Sequence, residues 1–206
     1  MNVLEYIVNS IKLYGFNDKA YKYIGEKVDW VEAYLVFIVF GILNIPANIL
    51  LNKQFFDNIY LYSFLTITTT LLGPFIFYGM IYLFFKILGG KAKFVNFIKY
   101  CLSIGVLVGI LNTIIGFIVI LTIPKYGRLP EYLGIPILVL SILFTIYSLV
   151  VIVKTLSKSQ KVSNSRGFMA IFIFPIIATI ALFIFLVFIM TIGVLIGGIP
   201  LESISQ

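Results

Sequence analysis

A chain of 206 residues in which 61% are apolar and only 11% are charged, with a mean hydropathy of +1.12, falls outside the soluble globular class, where about 25% of residues are charged. The net charge of +7 does not signal nucleic acid, because the basic residues lie in short segments between apolar runs and form no stripe interleaved with exposed aromatics. The absence of histidine and the single cysteine, Cys101, exclude an intrachain disulfide and a Cys/His metal cluster, and no cofactor is expected.

The composition and the long apolar runs define an all-α polytopic membrane protein in three parts. These are N-terminal interfacial helices over 1–29, a five-helix membrane domain over 30–196 and a short tail over 197–206. In residues 2–14, Val3, Leu4, Ile7, Val8 and Ile11 recur at helical spacing, with Glu5, Asn9 and Lys12 on another face. That pattern predicts an amphipathic helix ending at Gly15, its apolar face in the membrane interface. A second short helix is predicted over Asn17–Ile24, capped by Asn17 or Asp18 and stopped by Gly25. No signal peptide is expected, since Glu5 and Lys12 interrupt the first apolar segment.

Five apolar runs follow, over about 30–51, 61–88, 94–121, 133–153 and 168–196. Each reaches the roughly 20 residues needed to cross a ~30 Å hydrocarbon core. Trp30 is placed as an interfacial anchor, with Glu32 at headgroup level. Pro46, Pro74, Pro136 and Pro175 fall inside runs one, two, four and five, where proline removes a backbone hydrogen bond and kinks the helix.

The basic residues alternate. From the N-terminal segment through the four loops to the tail they number 4, 1, 4, 2, 4 and 0, so twelve lie on one side and three on the other. The positive-inside rule then places the N-terminus and loops two and four in the cytoplasm and the C-terminus outside, in a cell-membrane protein.

Polar and small residues mark the inward faces. Gly41, Asn44, Asn48 and Asn52 step by three and four along run one, as do Thr66, Thr69 or Thr70, and Gly73 along run two. Gly105, Gly109, Asn112 or Thr113, and Gly116 do so along run three. Ser141, Thr145 and Ser148 mark run four, and Gly193 with Gly197 forms a second GxxxG after that of Gly105 and Gly109. Small residues let helix backbones approach, and Ser, Thr and Asn hydrogen-bond across interfaces. Two readings stay open: the stripes glue the bundle together, or they line a polar path. The GxxxG faces also allow a homo-oligomer.

No Asp, Glu, His or Arg lies near the middle of any run, where ion-coupled transporters place such a group. No nucleophile–base set, paired carboxylates, metal-ligand spacing or phosphate-binding glycine loop occurs, so no enzyme is expected. Gly89-Gly90-Lys91 reads as a helix stop.

The whole pattern resembles the Yip domain family, the Ypt/Rab-GTPase-interacting membrane proteins, in prokaryotic form. Three places carry it. Leu71-Leu72-Gly73-Pro74 is similar to the family's D-L-x-G-P signature, with Thr70 where the acidic residue stands. Gly89-Gly90-Lys91-Ala92-Lys93-Phe94 gives a glycine break followed by an aromatic that opens run three. Leu149 to Pro175 gives a helix end, a basic loop closing on Ser165-Arg166-Gly167, and a proline-containing last span. The resemblance implies five spans, a cytoplasmic N-terminal region and, in eukaryotes, an association with Rab GTPases and vesicle traffic. A fold alone does not confer that function.

The expected protein is therefore a non-enzymatic membrane scaffold or adaptor. Its partners would be membrane lipid and, by resemblance, a GTPase or membrane-shaping protein. Lys91, Lys93, Lys154, Lys158, Lys161 and Arg166 would form its cytoplasmic basic surface, where each can also add about 1 kcal/mol of attraction to anionic lipid. The alternative is a small transporter or channel with its path between the helices.

Overall fold

The computed structural model describes residues 2–52, 59–126 and 131–197. Lys53, Arg128 and the tail over 198–206 lie outside the described residues, as do the side-chain surroundings of Asn48, Asn52, Gly193 and Gly197. All regular structure among the described residues is helical. Helices α1 (Val3–Leu13) and α2 (Asp18–Lys27) precede α3 (Trp30–Asn52), α4 (Ile59–Ile87), α5 (Phe94–Tyr126) and α6 (Glu131–Gln160). A short α7 (Asn164–Phe168) then passes through a π turn at Met169–Ile173 into α8 (Phe174–Gly197). Five segments are long and apolar enough to cross a membrane: Trp30–Ala47, Ser63–Ile87, Phe94–Thr122, Gly134–Gln160 and Asn164–Phe185.

α1 starts where the Asn2 side chain accepts from the Leu4 and Glu5 amides, at 3.1 and 3.3 Å, an N-cap that satisfies two orphan donors. Its apolar residues divide between two faces. Tyr6 and Leu13 are buried with Ser10 against the bundle, while Val3, Leu4, Val8 and Ile11 remain exposed. The buried face docks on α5: the Tyr6 and Ser103 hydroxyls hydrogen-bond at 3.1 Å, and Tyr14 donates to the Ile104 carbonyl at 3.0 Å. Asn17 caps α2, accepting from Ala20 N–H at 3.1 Å. Gly25 does not stop α2, which runs on to Lys27. The glycine is instead where α2 crosses α5, since a Cβ there would come within 2.5 Å of the Tyr100 hydroxyl oxygen. A stacked Tyr21–Tyr100 pair, 4.5 Å between centroids, completes that contact.

Helix α5 has 33 residues, about 50 Å at 1.5 Å per residue, so roughly 20 Å projects beyond a ~30 Å hydrocarbon core. Its charge-free stretch lies between Lys99 and Lys125 and is centred on Asn112. A ~30 Å core then spans about 20 residues around that point, with its edge at the lysine-rich end close to Leu102. Phe85, Phe97, Ile98, Leu102 and Leu156 are all buried at this basic end, so the bundle is packed most tightly where it leaves the membrane. Far from that end α8 separates from the bundle. Leu182, Phe183, Ile184 and Phe185 are consecutive and each more than half exposed, which points α8 at lipid on every side.

At the basic end the helix ends are clasped together. Gly90 N–H bonds to the Phe85 carbonyl at 2.8 Å and Gly89 N–H to Lys86 at 3.1 Å, with Gly89 at φ +89°. This is a Schellman stop, in which glycine takes the left-handed conformation without strain. Gln160, fully buried, holds the segment that follows. Its carbonyl accepts from Lys91 N–H at 3.0 Å, and its side-chain oxygen accepts from Ala92 N–H at 3.2 Å. Tyr82 donates to the Ala92 carbonyl at 3.3 Å and Arg166 to the Leu88 carbonyl at 3.4 Å. α6 stops in the same geometry, Val162 N–H to Ser157 at 3.0 Å, but with Lys161 in the left-handed position at φ +57°. A side chain there costs about 1 kcal/mol. Lys161→Gly is therefore expected to raise unfolding stability by about 0.5–1 kcal/mol, read from the unfolding midpoint in mixed micelles.

The π turn has a local cause. Pro175 has no N–H for the Ile171 carbonyl, and its ring crowds that carbonyl in a regular helix. Widening to a Phe174 N–H to Met169 bond just before it relieves the crowding.

Candidate functional site

Helices α3 and α5 form the closest long seam of the bundle, and small residues on α5 set it. A Cβ on Gly105 would come 2.9 Å from Phe37 Cε2, one on Gly109 2.9 Å from Phe40 Cβ, and one on Gly116 3.1 Å from Ala47 Cβ. The Asn44 amide donates across the seam to Thr113 Oγ1 at 3.1 Å and within α3 to the Phe40 carbonyl at 2.6 Å, while Thr113 donates within α5 to the Gly109 carbonyl at 2.8 Å. Asn44, level with the bilayer midplane by the α5 ruler, is thus provided for within the protein. On its other side α3 meets α4, where a Cβ on Gly41 would overlap Thr70 Cγ2.

Beside the seam runs a cavity of about 710 Å³, walled by α3, α4, α5, α6 and the π turn. Its α5 wall extends from Cys101 to Val119 with lining residues every three or four positions, a length of about 27 Å. Gly41, Asn44, Thr70, Gly105, Gly109, Asn112 and Gly116 all border it, whereas Thr66, Thr69 and Gly73 of the α4 stripe do not line it. Among the described residues, no Asp, Glu, Lys or Arg borders it. Thr70 spends its hydroxyl on the Thr66 carbonyl at 2.8 Å. Tyr78, which no motif or stripe singles out, also lines the cavity, and its hydroxyl makes no hydrogen bond to the described residues.

Other stripe residues are placed differently. Asn112 borders the cavity but is itself exposed, at the open side. In α6 Ser148 is buried and Ser141 half-buried, whereas Thr145 is exposed and bonds to the Ser141 carbonyl of its own turn at 2.7 Å. A hydroxyl satisfied by the i−4 carbonyl needs no neighbouring helix, and for that reason spacing alone misplaces it. In the family motif Pro74 is buried, Leu71 and Leu72 are exposed, and a Cβ on Gly73 would have no neighbour within 4 Å. Pro74 lacks the N–H that would reach the Thr70 carbonyl, and the adjacent Leu71 carbonyl accepts from Tyr34.

At the basic end the six cations divide. Lys158 pairs with Asp18 and lies 4.4 Å from the Tyr21 ring centroid, and Lys154 lies 4.3 Å from that of Phe16. Both hold the α1–α2 turn against α6, around a cleft of about 320 Å³. Arg166 belongs to the clasp. Lys91, Lys93 and Lys161 are exposed, with side chains that engage none of the described residues. Burial pushes the Tyr6 hydroxyl up to about 12, and Tyr14 and Tyr21 also up. All three stay protonated at any physiological pH, which keeps the Tyr14 donor to the Ile104 carbonyl in place.

Five long apolar helices, a small-residue seam and a basic end with two docked helices define an all-α multi-pass membrane protein. The Yip1 domain profile matches residues 16–188, which takes in α2 through most of α8, and the chain belongs to the Yip1 domain family. Comparisons with curated proteins and with solved structures give no match.

Proposed function

We propose that this protein is a non-enzymatic membrane adaptor that recruits a protein partner at its basic end. The reading places that end in the cytoplasm, following the alternation of basic residues, with the C-terminus outside and the chain in the cell membrane. One observation carries it: α1, α2 and the two basic loops are locked by long-range contacts into a single platform. Lys154, Lys158 and Arg166 are used internally, which leaves Lys91, Lys93 and Lys161 projecting from the platform toward a partner. An acidic protein surface fits that charge; a GTPase or a membrane-shaping protein is the kind of partner the family suggests. Solute passage, the competing function, would use the cavity, whose lining supplies no charged group among the described residues.

Brief cross-linking in native membranes, then purification in mild detergent and mass spectrometry, tests the proposal. The wild type is expected to retain discrete proteins that the Lys91→Gln, Lys93→Gln, Lys161→Gln triple variant loses at least several-fold, with topology unchanged. Equal recovery from both forms, or recovery of self-contacts alone, would refute the adaptor.

A further inference from the structure

We infer that the cavity beside the α3–α5 seam is a lipid site that holds one acyl chain of an ester-linked phospholipid. Four features point to that occupant. The cavity is about as long as the hydrocarbon core is thick, and 710 Å³ over about 27 Å leaves a mean section near 26 Å², room for one extended chain. Its volume lies within the ~300–1,000 Å³ of ordinary ligand sites. Its wall is largely apolar with no charged side chain among the described residues, and its two midplane polar groups from α3 and α4, Asn44 and Thr70, already donate to backbone carbonyls. It opens sideways beside Phe77 and Asn112, lining residues that are themselves exposed, so a chain enters from the bilayer without crossing water.

A fifth feature sets the chain's orientation. The Tyr78 hydroxyl has no hydrogen-bond partner among the described residues and lies 3.9 Å from where a Gly105 Cβ would sit. Gly105 is three residues inside the hydrocarbon edge at Leu102, about 4.5 Å, one helical turn below the interfacial layer that holds acyl esters. The half-buried Tyr78 phenol lines the cavity with its donor unspent, and an ester carbonyl seated one turn below the interface accepts a hydrogen bond from it. The lipid therefore belongs to the leaflet at the basic end, its headgroup outward and its chain running along α5 toward Val119.

The test is photolabelling of the full chain in phosphatidylcholine vesicles that carry a trace of a phosphatidylcholine with a mid-chain diazirine, with adducts mapped by mass spectrometry. Adducts are expected on Val108, Ile115 and Ile152 as well as on outward residues such as Leu138 and Phe183. Val108→Trp, which fills the cavity, should lower the inward adducts at least fivefold and leave the outward ones unchanged. Tyr78→Phe should lower them about 2- to 10-fold, the worth of one hydrogen bond. If Val108→Trp does not fold, Ile152→Phe fills the cavity from the opposite wall. Adducts confined to outward residues, or inward adducts indifferent to the filling variants, would overturn the proposal. So would inward labelling by a diazirine fatty acid but not by the phospholipid. No outcome depends on the lysine platform, so the adaptor and the lipid site can fail separately.

Discussion

Gly167→Leu is expected to abolish recovery of folded protein, and Gly167→Ala to lower unfolding stability by about 1–3 kcal/mol, the range for overpacking a close contact. Gly167 is buried where α7 crosses α6. A Cβ at that position would coincide with Ser157 Oγ, with Ser157 Cβ at 3.1 Å and the Val153 carbonyl oxygen at 3.4 Å. The Ser157 hydroxyl is buried without a partner among the described residues, so in Gly167→Ala it can turn away, and what remains is the tight Cβ–Cβ approach. Leucine leaves no such escape. Because that hydroxyl makes no bond, Ser157→Ala alone should be neutral or slightly stabilising. In its background Gly167→Ala should recover at least about 1 kcal/mol, a coupling that a double-mutant cycle reads directly. Gly73 and Gly79 supply the contrast: with no atom within 4 Å of either added Cβ, Gly→Ala there should stabilise the helix by about 0.5–1 kcal/mol. SDS titration of the purified proteins checks all of these. Independent costs for Gly167→Ala and Ser157→Ala would show that the two do not share the contact.

The outline of this fold is legible in sequence because hydrocarbon thickness and hydropathy are enough to set it. The five apolar runs become α3 to α6 and the α7–α8 helix, and the step of three and four from Gly105 to Gly116 becomes the side of α5 that touches α3. What stays hidden is the choice of partner. The exposed stripe of Val3, Leu4, Val8 and Ile11 follows from helical period alone. The opposite face of α1 docks through Tyr6 and Tyr14 to Ser103 and Ile104, about ninety residues away, and no local periodicity encodes that pairing. Gly25 reads as a stop signal but serves as a crossing point, because a glycine looks the same in sequence whether it frees a dihedral or a neighbour's hydroxyl. The cavity is invisible for a related reason. It is a volume left between five helices, and Tyr78 matters only through the bonds that it does not make.

Along the α3 seam, the cost of adding a methyl group should depend on which atom it meets rather than on how close it comes. Gly105 and Gly109 look alike by distance, each placing a new Cβ 2.9 Å from a phenylalanine. At Gly105 the atom met is Phe37 Cε2, the far edge of a ring that can pivot. At Gly109 it is Phe40 Cβ, fixed to the backbone, and no rotamer moves it. Gly109→Ala must push α3 and α5 apart, which strains the Asn44–Thr113 bond and opens the cavity, for an expected loss of about 2–3 kcal/mol. Gly105→Ala should lose about 1 kcal/mol or less. Phe37→Leu should restore the Gly105 variant, while Phe40→Leu should leave the Gly109 variant unrescued because its Cβ remains. Gly41 gives a third case, since the Thr70 Cγ2 that it faces is held in place by the Thr70–Thr66 bond at 2.8 Å. Gly41→Ala should therefore be costly alone and largely rescued by Thr70→Ser, which keeps the hydroxyl and removes the methyl. If instead the three alanine variants lose equal stability and none responds to its partner, the seam is looser than these contacts require. The small residues of α5 would then reflect lipid-facing choice rather than helix packing.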